Sequence, residues 1–337
     1  MRPVIHVGLA KAASTFLQRS IFAKHSNVNY LGKGHVDPDL RAAVTRMSRQ
    51  NSFFYSGEEV GSVFRNKLIA DSARVPILSE EDFCGMQFVD TAMMASRIKE
   101  IFSGGRIILV TRNQQDWAQS KYFFYLENFK REALFGLDAM LSEDNLRWVG
   151  SYFGPFFLNK IATLYENLFG KENLLVVPYE KLKNNSGEFI REVSQFCDID
   201  ASESIKLKNV GEGRAENKFR ISPARAQFIQ QLRFVITKDA RGLARNLLPM
   251  IDQRLPVDQF ILAEKYIEKG EFNYEEWAQW GKRNVKYIPD DRDVNGRPVE
   301  PLGPKATAKI RNVARVENAS LERKYNLDLK QLGYILD

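Results

Sequence analysis

The sequence has 337 residues, of which 44% are hydrophobic and 27% charged, and its net charge is +7. This composition is that of a soluble globular protein, and the absence of any run of about 18 apolar residues argues against a membrane span. The two cysteines, Cys84 and Cys197, exclude a disulfide framework. Because the N-terminus also lacks a basic leader, we expect a cytoplasmic protein. The positive charge favours an anionic partner such as a nucleotide, nucleic acid, anionic lipid or acidic polymer.

Short apolar runs alternate with helical patterns along the chain. Strands are predicted over residues 3–8, 75–79, 106–111 and 173–178, and helices over 14–24, 116–130, 153–169 and 187–196. Such alternation is typical of a P-loop-like α/β fold, with a parallel central sheet flanked by helices on both faces. Ligands of such sheets bind at the loops that leave the carboxyl ends of the strands.

The first such loop has the outline of a phosphate-binding loop. It runs from Gly8 to Thr15, between the first strand and the first helix, where backbone N–H groups can bind an anion. The usual pattern has Gly-Lys before the hydroxyl residue, but this chain has Ala13 and Ser14 there and its lysine at position 11. The pattern favours phosphate binding, although small residues here could simply let strand and helix pack closely.

A second segment follows the strand over residues 106–111. Arg112 ends that strand, and Ser120 comes eight residues later on the next predicted helix. An arginine fork and a hydroxyl in this arrangement can hold one phosphate together. Taken singly, Arg112 could be an ordinary ion-pairing residue and Ser120 a solvent-facing one.

Together the two segments resemble sulfotransferases that use 3′-phosphoadenosine 5′-phosphosulfate (PAPS). The stretch from Lys11 to Gln18 is similar to the family's Lys-X-Gly-Thr-Thr loop, and Arg112 with Ser120 is similar to its 3′-phosphate site. The resemblance implies that Lys11 neutralises the leaving phosphate oxygen. It also implies that the 5′-phosphate is held by Ala12, Ala13, Ser14 and Thr15.

The resemblance further implies a general base for the acceptor. Ser79-Glu80-Glu81 resembles the Ser-X-Glu segment of family members that use a glutamate, which makes Glu81 the expected base, with Glu80 and His35 as alternatives. Lys33 and His35, together with Glu80, are expected to face the acceptor. A helix N-terminal carboxylate pair is the simpler interpretation of Glu80 and Glu81.

The rest of the chain is expected to complete a single sulfotransferase domain over residues 1–337. Residues 220–310 match no known pattern and are interpreted as a helical or loop insertion or a lid, and residues 311–337 as a C-terminal helix that packs on the core. The Tyr179-Glu180 segment is similar to a scaffold motif of the family. Arg214, in the loop over 211–214, could close over the cofactor or lie in a plain surface turn.

The implied activity is transfer of a sulfuryl group from PAPS to a hydroxyl or amine of a carbohydrate, glycolipid or small metabolite. No metal is expected, because no carboxylate or His/Cys spacing of a metal site is present. Nucleic acid is not expected as a partner. Two alternatives stay open: a nucleoside or sugar kinase, and a non-catalytic anion-binding protein. A kinase should have the Gly-Lys pair that this loop lacks, and a simple binder does not explain two spaced cofactor segments.

Overall fold

The fold is centred on one five-stranded parallel sheet. The computed structural model describes residues 1–84, 90–127, 137, 141, 156–210 and 303–336. The sheet order is β2-β3-β1-β4-β5, and every pairing is parallel. The strands are β1 Val4–His6, β2 Val28–Tyr30, β3 Val75–Ser79, β4 Arg106–Thr111 and β5 Leu174–Pro178.

The apolar runs of the sequence form the centre of this sheet. Residues Ile107 to Val110 of β4 have no exposed surface, and all five residues of β3 are buried. Strands that are buried on both faces read as continuous hydrophobic runs, which explains why β3 and β4 could be predicted with their observed bounds. The register pairs His6 with Ser79, so the carboxyl ends of β1 and β3 lie side by side.

Helices surround the sheet, which confirms the predicted α/β class. Helix α1 covers Ser14–Phe16 and continues as a π-helical segment over Leu17–Phe22. The others are α2 Pro38–Arg49, α3 Gly57–Ala70, α4 Thr91–Ile101, α5 Gln114–Glu127, α6 Leu158–Phe169, α7 Tyr179–Asn184, α8 Ser186–Cys197, α9 Ala201–Val210 and α10 Pro304–Tyr325. Among the described residues, no helix is long and apolar enough to cross a membrane.

Several helices begin at a side chain that caps them. Asp37 accepts hydrogen bonds from two N–H groups at the start of α2, and Ser56, Asp90 and Asn185 cap α3, α4 and α8 in the same way. Such caps satisfy N–H groups that have no intrahelical partner. The helices over residues 38–101 and the three-residue strand β2 were not predicted, because the apolar pattern there is short or weak.

The chain divides into two compact units. The first holds residues 1–117, 143–215 and 309–337, and the second holds residues 118–142 and 216–308. The proposed insertion over 220–310 lies almost wholly outside the described residues. Helix α10 begins at Pro304 and ends at Tyr325, so the expected C-terminal helix starts earlier and is shorter at its end than predicted. The prediction of a single domain over residues 1–337 stays a prediction.

Candidate active site

The loop after β1 runs along the end of β4. Val7 and Leu9 donate their N–H groups to the carbonyls of Ile108 and Val110, at 3.0 and 3.4 Å. The loop therefore leaves the carboxyl edge of the sheet beside β4 and enters α1 at Ser14. We call residues 8–15 the first loop.

The carbonyl groups of the first loop point toward the interior of the protein. Three successive carbonyls accept hydrogen bonds from side chains: Leu9 from Ser14 Oγ at 3.0 Å, Ala10 from Trp117 Nε1 at 2.7 Å, and Lys11 from an Arg112 Nη at 2.5 Å. Carbonyl oxygens repel anions, whereas the first N–H groups of a helix have no intrahelical partner and attract them. Fixing the carbonyls inward makes the first loop suited to an anion.

The first loop contains two non-glycine residues with left-handed backbone. Lys11 has φ 69° and Ala13 has φ 61° with ψ 5°. Glycine adopts this conformation without penalty, whereas it costs an alanine roughly 1 kcal/mol or more. Ala13 thus takes a conformation suited to the glycine that the family motif carries at this position. Strain of this kind is concentrated at functional sites.

The hydroxyl residues of the first loop are placed differently from each other. Ser14 is buried and its hydroxyl bonds to the Leu9 carbonyl, so it fixes the loop. Thr15 is exposed at the start of α1. Ala12 is buried and its N–H bonds back to Leu9, whereas Ala13 and Lys11 are half-buried.

Arg112 is a buried cation beside the first loop. It is only 4% exposed, and its guanidinium lies 5.1 Å from the centre of the Tyr179 ring. One of its Nη atoms bonds to the Lys11 carbonyl, but its Nε has no partner within the part of the chain that the structure describes. A buried guanidinium with an unpaired donor is suited to an anionic ligand.

The start of α5, next to Arg112, is fixed by a buried polar network. Glu180 accepts hydrogen bonds from the Asn113 N–H at 3.0 Å and from the Tyr334 hydroxyl at 2.8 Å. The side chain of Asn113 donates to the Gly333 carbonyl, and Tyr334 also lies 3.2 Å from the Thr111 hydroxyl. Burial raises the pKa of Glu180. This network positions the strand end that carries Arg112.

For two of the predicted cofactor residues, the structure describes no position relative to the first loop or Arg112. Ser120 is half-buried on α5, in the second compact unit, so only its place on the helix is described. Arg214 lies outside the described residues, as does the rest of the loop over 211–214.

The predicted acceptor residues meet at the ends of β2 and β3. Lys33 Nζ forms an ion pair with a Glu81 oxygen and lies 3.7 Å from a Glu80 oxygen. The Lys33 N–H donates to the Ser79 carbonyl at 3.0 Å. Gly32 permits this approach, since a Cβ there would lie 2.4 Å from the Ser79 carbonyl oxygen. The structure therefore brings together three of the four predicted acceptor-side residues.

The carboxylate cluster, which we define as Glu80, Glu81 and Asp82, is not uniform. The Glu80 side chain is 8% exposed and that of Glu81 22% exposed. Burial raises the pKa of Glu80 to about 7, with Lys33 acting against this shift and Asp82 adding to it. Asp82 is paired with Arg49 at 2.8 Å. Burial lowers the pKa of Lys33, but its hydrogen bond to Glu81 and the charges of the cluster outweigh burial and raise the pKa overall.

His35 has a structural partner instead. Its Nδ1 accepts a hydrogen bond from the Asp37 N–H at 3.0 Å, where α2 begins. Burial lowers the pKa of His35, which Asp37 partly offsets and Lys67 reinforces. The structure shows no contact between the described residue His35 and the carboxylate cluster.

Some site residues were not predicted. They lie between the two halves of the site: the first loop with Arg112, and the carboxylate cluster with Lys33. His6 Nδ1 is 2.7 Å from Ser79 Oγ, which also accepts a hydrogen bond from Gln18 Nε2 at 3.2 Å. Trp117 and Tyr179 were missed as well. Their only sequence signal was position, since each of these polar or aromatic residues lies at a strand end or on the helix that follows. Within the described residues, no group of three or more His, Cys, Asp or Glu side chains could hold a metal ion.

Residues 81–219 match the sulfotransferase domain family, a segment that includes Glu81, Arg112, Ser120 and Arg214 but not the first loop. No curated protein sequence matches the chain. A crystal structure of a sulfotransferase from Alicyclobacillus acidocaldarius is similar, with 13% identity, a TM-score of 0.45, and coverage of 73% of this chain and 96% of that one. The match to the sulfotransferase domain covers residues 81–219, which is less than half of the chain.

Proposed function

We propose that this enzyme transfers the sulfuryl group of PAPS to a hydroxyl or amine of a carbohydrate or glycolipid acceptor. The donor assignment rests on the first loop and Arg112, and the carbohydrate class rests on the family resemblance alone. The single observation that carries the proposal is the buried Arg112, whose Nη fastens the first loop while its Nε has no partner among the described residues.

The residues present fit the two phosphate groups of PAPS. The first loop, with its carbonyls turned inward, suits the 5′-phosphosulfate, and Arg112 suits the 3′-phosphate. A role for Ser120 beside Arg112 rests on the family resemblance alone. Bound PAPS supplies an activated sulfuryl group on a phosphate leaving group. Lys11, at the crest of the loop, then neutralises the charge that develops on the leaving oxygen, and this stabilises the transition state.

Glu81 is the proposed general base. A base must reach the acceptor proton before its pKa matters, and the Glu81 side chain is more exposed than that of Glu80. Glu80 is buried and its Oε1 lies 3.3 Å from the Asp82 N–H, so it is turned toward the protein. Lys33 holds Glu81 in place and lies beside it where an acceptor would bind. Transfer needs alignment and charge stabilisation more than covalent help.

Titration calorimetry with adenosine 3′,5′-bisphosphate and with AMP tests the donor site. The two ligands differ by the 3′-phosphate, so the ratio of their Kd values measures recognition of that group. For wild type we expect a preference for the bisphosphate, without Mg²⁺, of roughly 10- to 100-fold, the range for charge-assisted hydrogen bonds. In Arg112→Ala the preference should fall toward one.

The matched control is Arg106→Ala, at the other end of the same strand. Arg106 pairs with Asp198 at 2.7 Å, away from the carboxyl edge, so the preference should stay as in wild type. A general collapse of the first loop would weaken both ligands equally and leave the ratio unchanged. Tighter binding of ATP with Mg²⁺ than of the bisphosphate would contradict the proposal and favour the kinase.

A further inference from the structure

His6 ends β1 directly before the first loop and has no exposed surface. The ring of Phe22 is in an edge contact with it, with the two ring centres 6.2 Å apart. One ring nitrogen, Nδ1, contacts Ser79 Oγ, but the other, Nε2, has no hydrogen-bond partner among the described residues. An unpaired buried polar atom calls for an explanation, because such groups are normally satisfied in folded proteins.

The hydrogen bonds around Ser79 indicate which nitrogen carries the proton. Gln18 Nε2 can only donate, so Ser79 Oγ accepts from it. The Ser79 hydroxyl then has its own proton to donate, and His6 Nδ1 lies within reach at 2.7 Å. In this arrangement Nδ1 is an acceptor and Nε2 carries the hydrogen. Burial lowers the pKa of His6 to about 4, so the ring is neutral at neutral pH.

The Nε2 atom points at the start of the first loop. A Cβ added at Gly8 would lie 2.4 Å from it, closer than side-chain atoms approach one another. Because Gly8 has no side chain, the imidazole can lie against the backbone where the first loop begins. The unpaired Nε2 is therefore on the Gly8 side of the ring, next to the residues that we assign to the anion.

We propose that His6 is a further donor-binding residue, whose Nε2–H donates a hydrogen bond past Gly8 to the anionic group held in the first loop. The proposal rests on the proposed function for the nature of that group. His6 would also link the two halves of the site, since its Nδ1 bonds to Ser79, the residue before Glu80 and Glu81.

Two substitutions separate the ring nitrogens. In His6→Asn the short amide can replace Nδ1 beside Ser79 but cannot reach Gly8. In His6→Gln the longer amide can place its N–H near the position of Nε2. We expect the Kd of adenosine 3′,5′-bisphosphate, and of pyrophosphate as a probe of the first loop alone, to rise about tenfold or more in His6→Asn. In His6→Gln the rise should stay within about threefold.

Calorimetry on folded protein, with thermal unfolding run alongside, distinguishes this role from a structural one. If His6 only packs the core, the variants will unfold at lower temperature but the folded fraction will bind both ligands like wild type. That result would overturn the proposal. A second measurement needs no variant: in wild type with ¹⁵N-labelled histidine, the Nε2 signal of His6 should shift when either ligand binds, whereas an unchanged signal at saturation would overturn the proposal.

The measurements with pyrophosphate distinguish an error in the proposed role of His6 from an error in the proposed donor, PAPS. Binding of pyrophosphate but not of the bisphosphate would contradict PAPS as donor, and His6→Asn against pyrophosphate would still decide the role of His6. Normal binding of the bisphosphate by His6→Asn would overturn the His6 proposal alone. If wild type bound neither ligand, both proposals would fall.

Discussion

The two halves of the candidate site are built in different ways. On the donor side, the first loop and Arg112 are fixed by hydrogen bonds between buried groups, and three loop carbonyls have side-chain donors. On the acceptor side, the carboxylate cluster is balanced by the partly exposed cations Lys33 and Arg49. A rigid cradle suits a donor that is the same in every reaction, whereas ion pairs near the surface can rearrange around an acceptor.

We expect the largest effect on kcat from substitution of the proposed general base, Glu81. Glu81→Gln should lower kcat by roughly 10²- to 10⁴-fold, the usual range for loss of general-base catalysis. Glu80→Gln is the matched control and should change kcat by less than about tenfold, because its carboxyl is turned toward the Asp82 N–H. Steady-state kinetics with PAPS and an accepted sugar measures both. The reverse ranking would make Glu80 the base.

Lys11 should give the next largest effect, on the donor side. Lys11→Met should lower kcat by roughly 10²- to 10³-fold, as for loss of one group that stabilises developing charge. The Kd of adenosine 3′,5′-bisphosphate should rise much less, because the backbone and Arg112 still hold the product. Equal losses in kcat and in affinity would mean that Lys11 binds the donor without a specific role in the transition state.

Glu80 should make stability depend on pH. Its pKa in the folded protein is about 7, above the ordinary glutamate value, so the stabilising contribution is complete below about pH 4.5 and is lost as the pH rises through 7. Glutamine does not titrate, so Glu80→Gln lacks this loss. The free energy of unfolding of the variant, relative to that of wild type, should therefore increase by about 1–3 kcal/mol between pH 5 and pH 8. Urea unfolding at the two pH values measures it, and a constant difference would contradict the assignment.

The smallest expected effect concerns the strain in the first loop. Ala13→Gly relieves the left-handed backbone but adds freedom to the unfolded chain, so we expect a gain of about 0–1 kcal/mol in unfolding free energy. Ala12→Gly is the control, because Ala12 has no positive φ and should lose roughly 1 kcal/mol. Urea unfolding checks both, and a clear loss in Ala13→Gly would show that the alanine methyl has a packing role.

Much of the fold could be predicted from local pattern. The strands β3 and β4 were predicted because buried parallel strands read as unbroken apolar runs, and Arg112 was found because it follows β4 directly. The strand β2 could not be predicted, because three residues are too few to show the apolar pattern of a strand. The contact of Lys33 with Glu81 depends on β2 lying beside β3, so that contact could not be predicted either.

The least predictable parts of the site are those set by long-range contacts. The sequence template treats Ala13 as a departure from glycine, whereas the structure shows an alanine in the glycine conformation. His6 could not be singled out from local pattern, because its contacts are with Ser79 and Gln18, which lie 73 and 12 positions further along the chain. The functional roles of all the predicted site residues, including Ser120 and Arg214, stay predictions.

The bond between Tyr334 and Glu180 has a consequence for the order in which the site is assembled. Synthesis makes β4 and Arg112 long before residue 334, since 223 positions separate Thr111 from Tyr334. A nascent chain therefore carries the arginine site without the hydroxyl and carbonyl that fix its flank. Because contacts between distant residues form late, we expect nucleotide binding to appear only when Tyr334 has bonded to Glu180 beside the end of β4. Chains stalled on the ribosome at successive lengths would reveal this step.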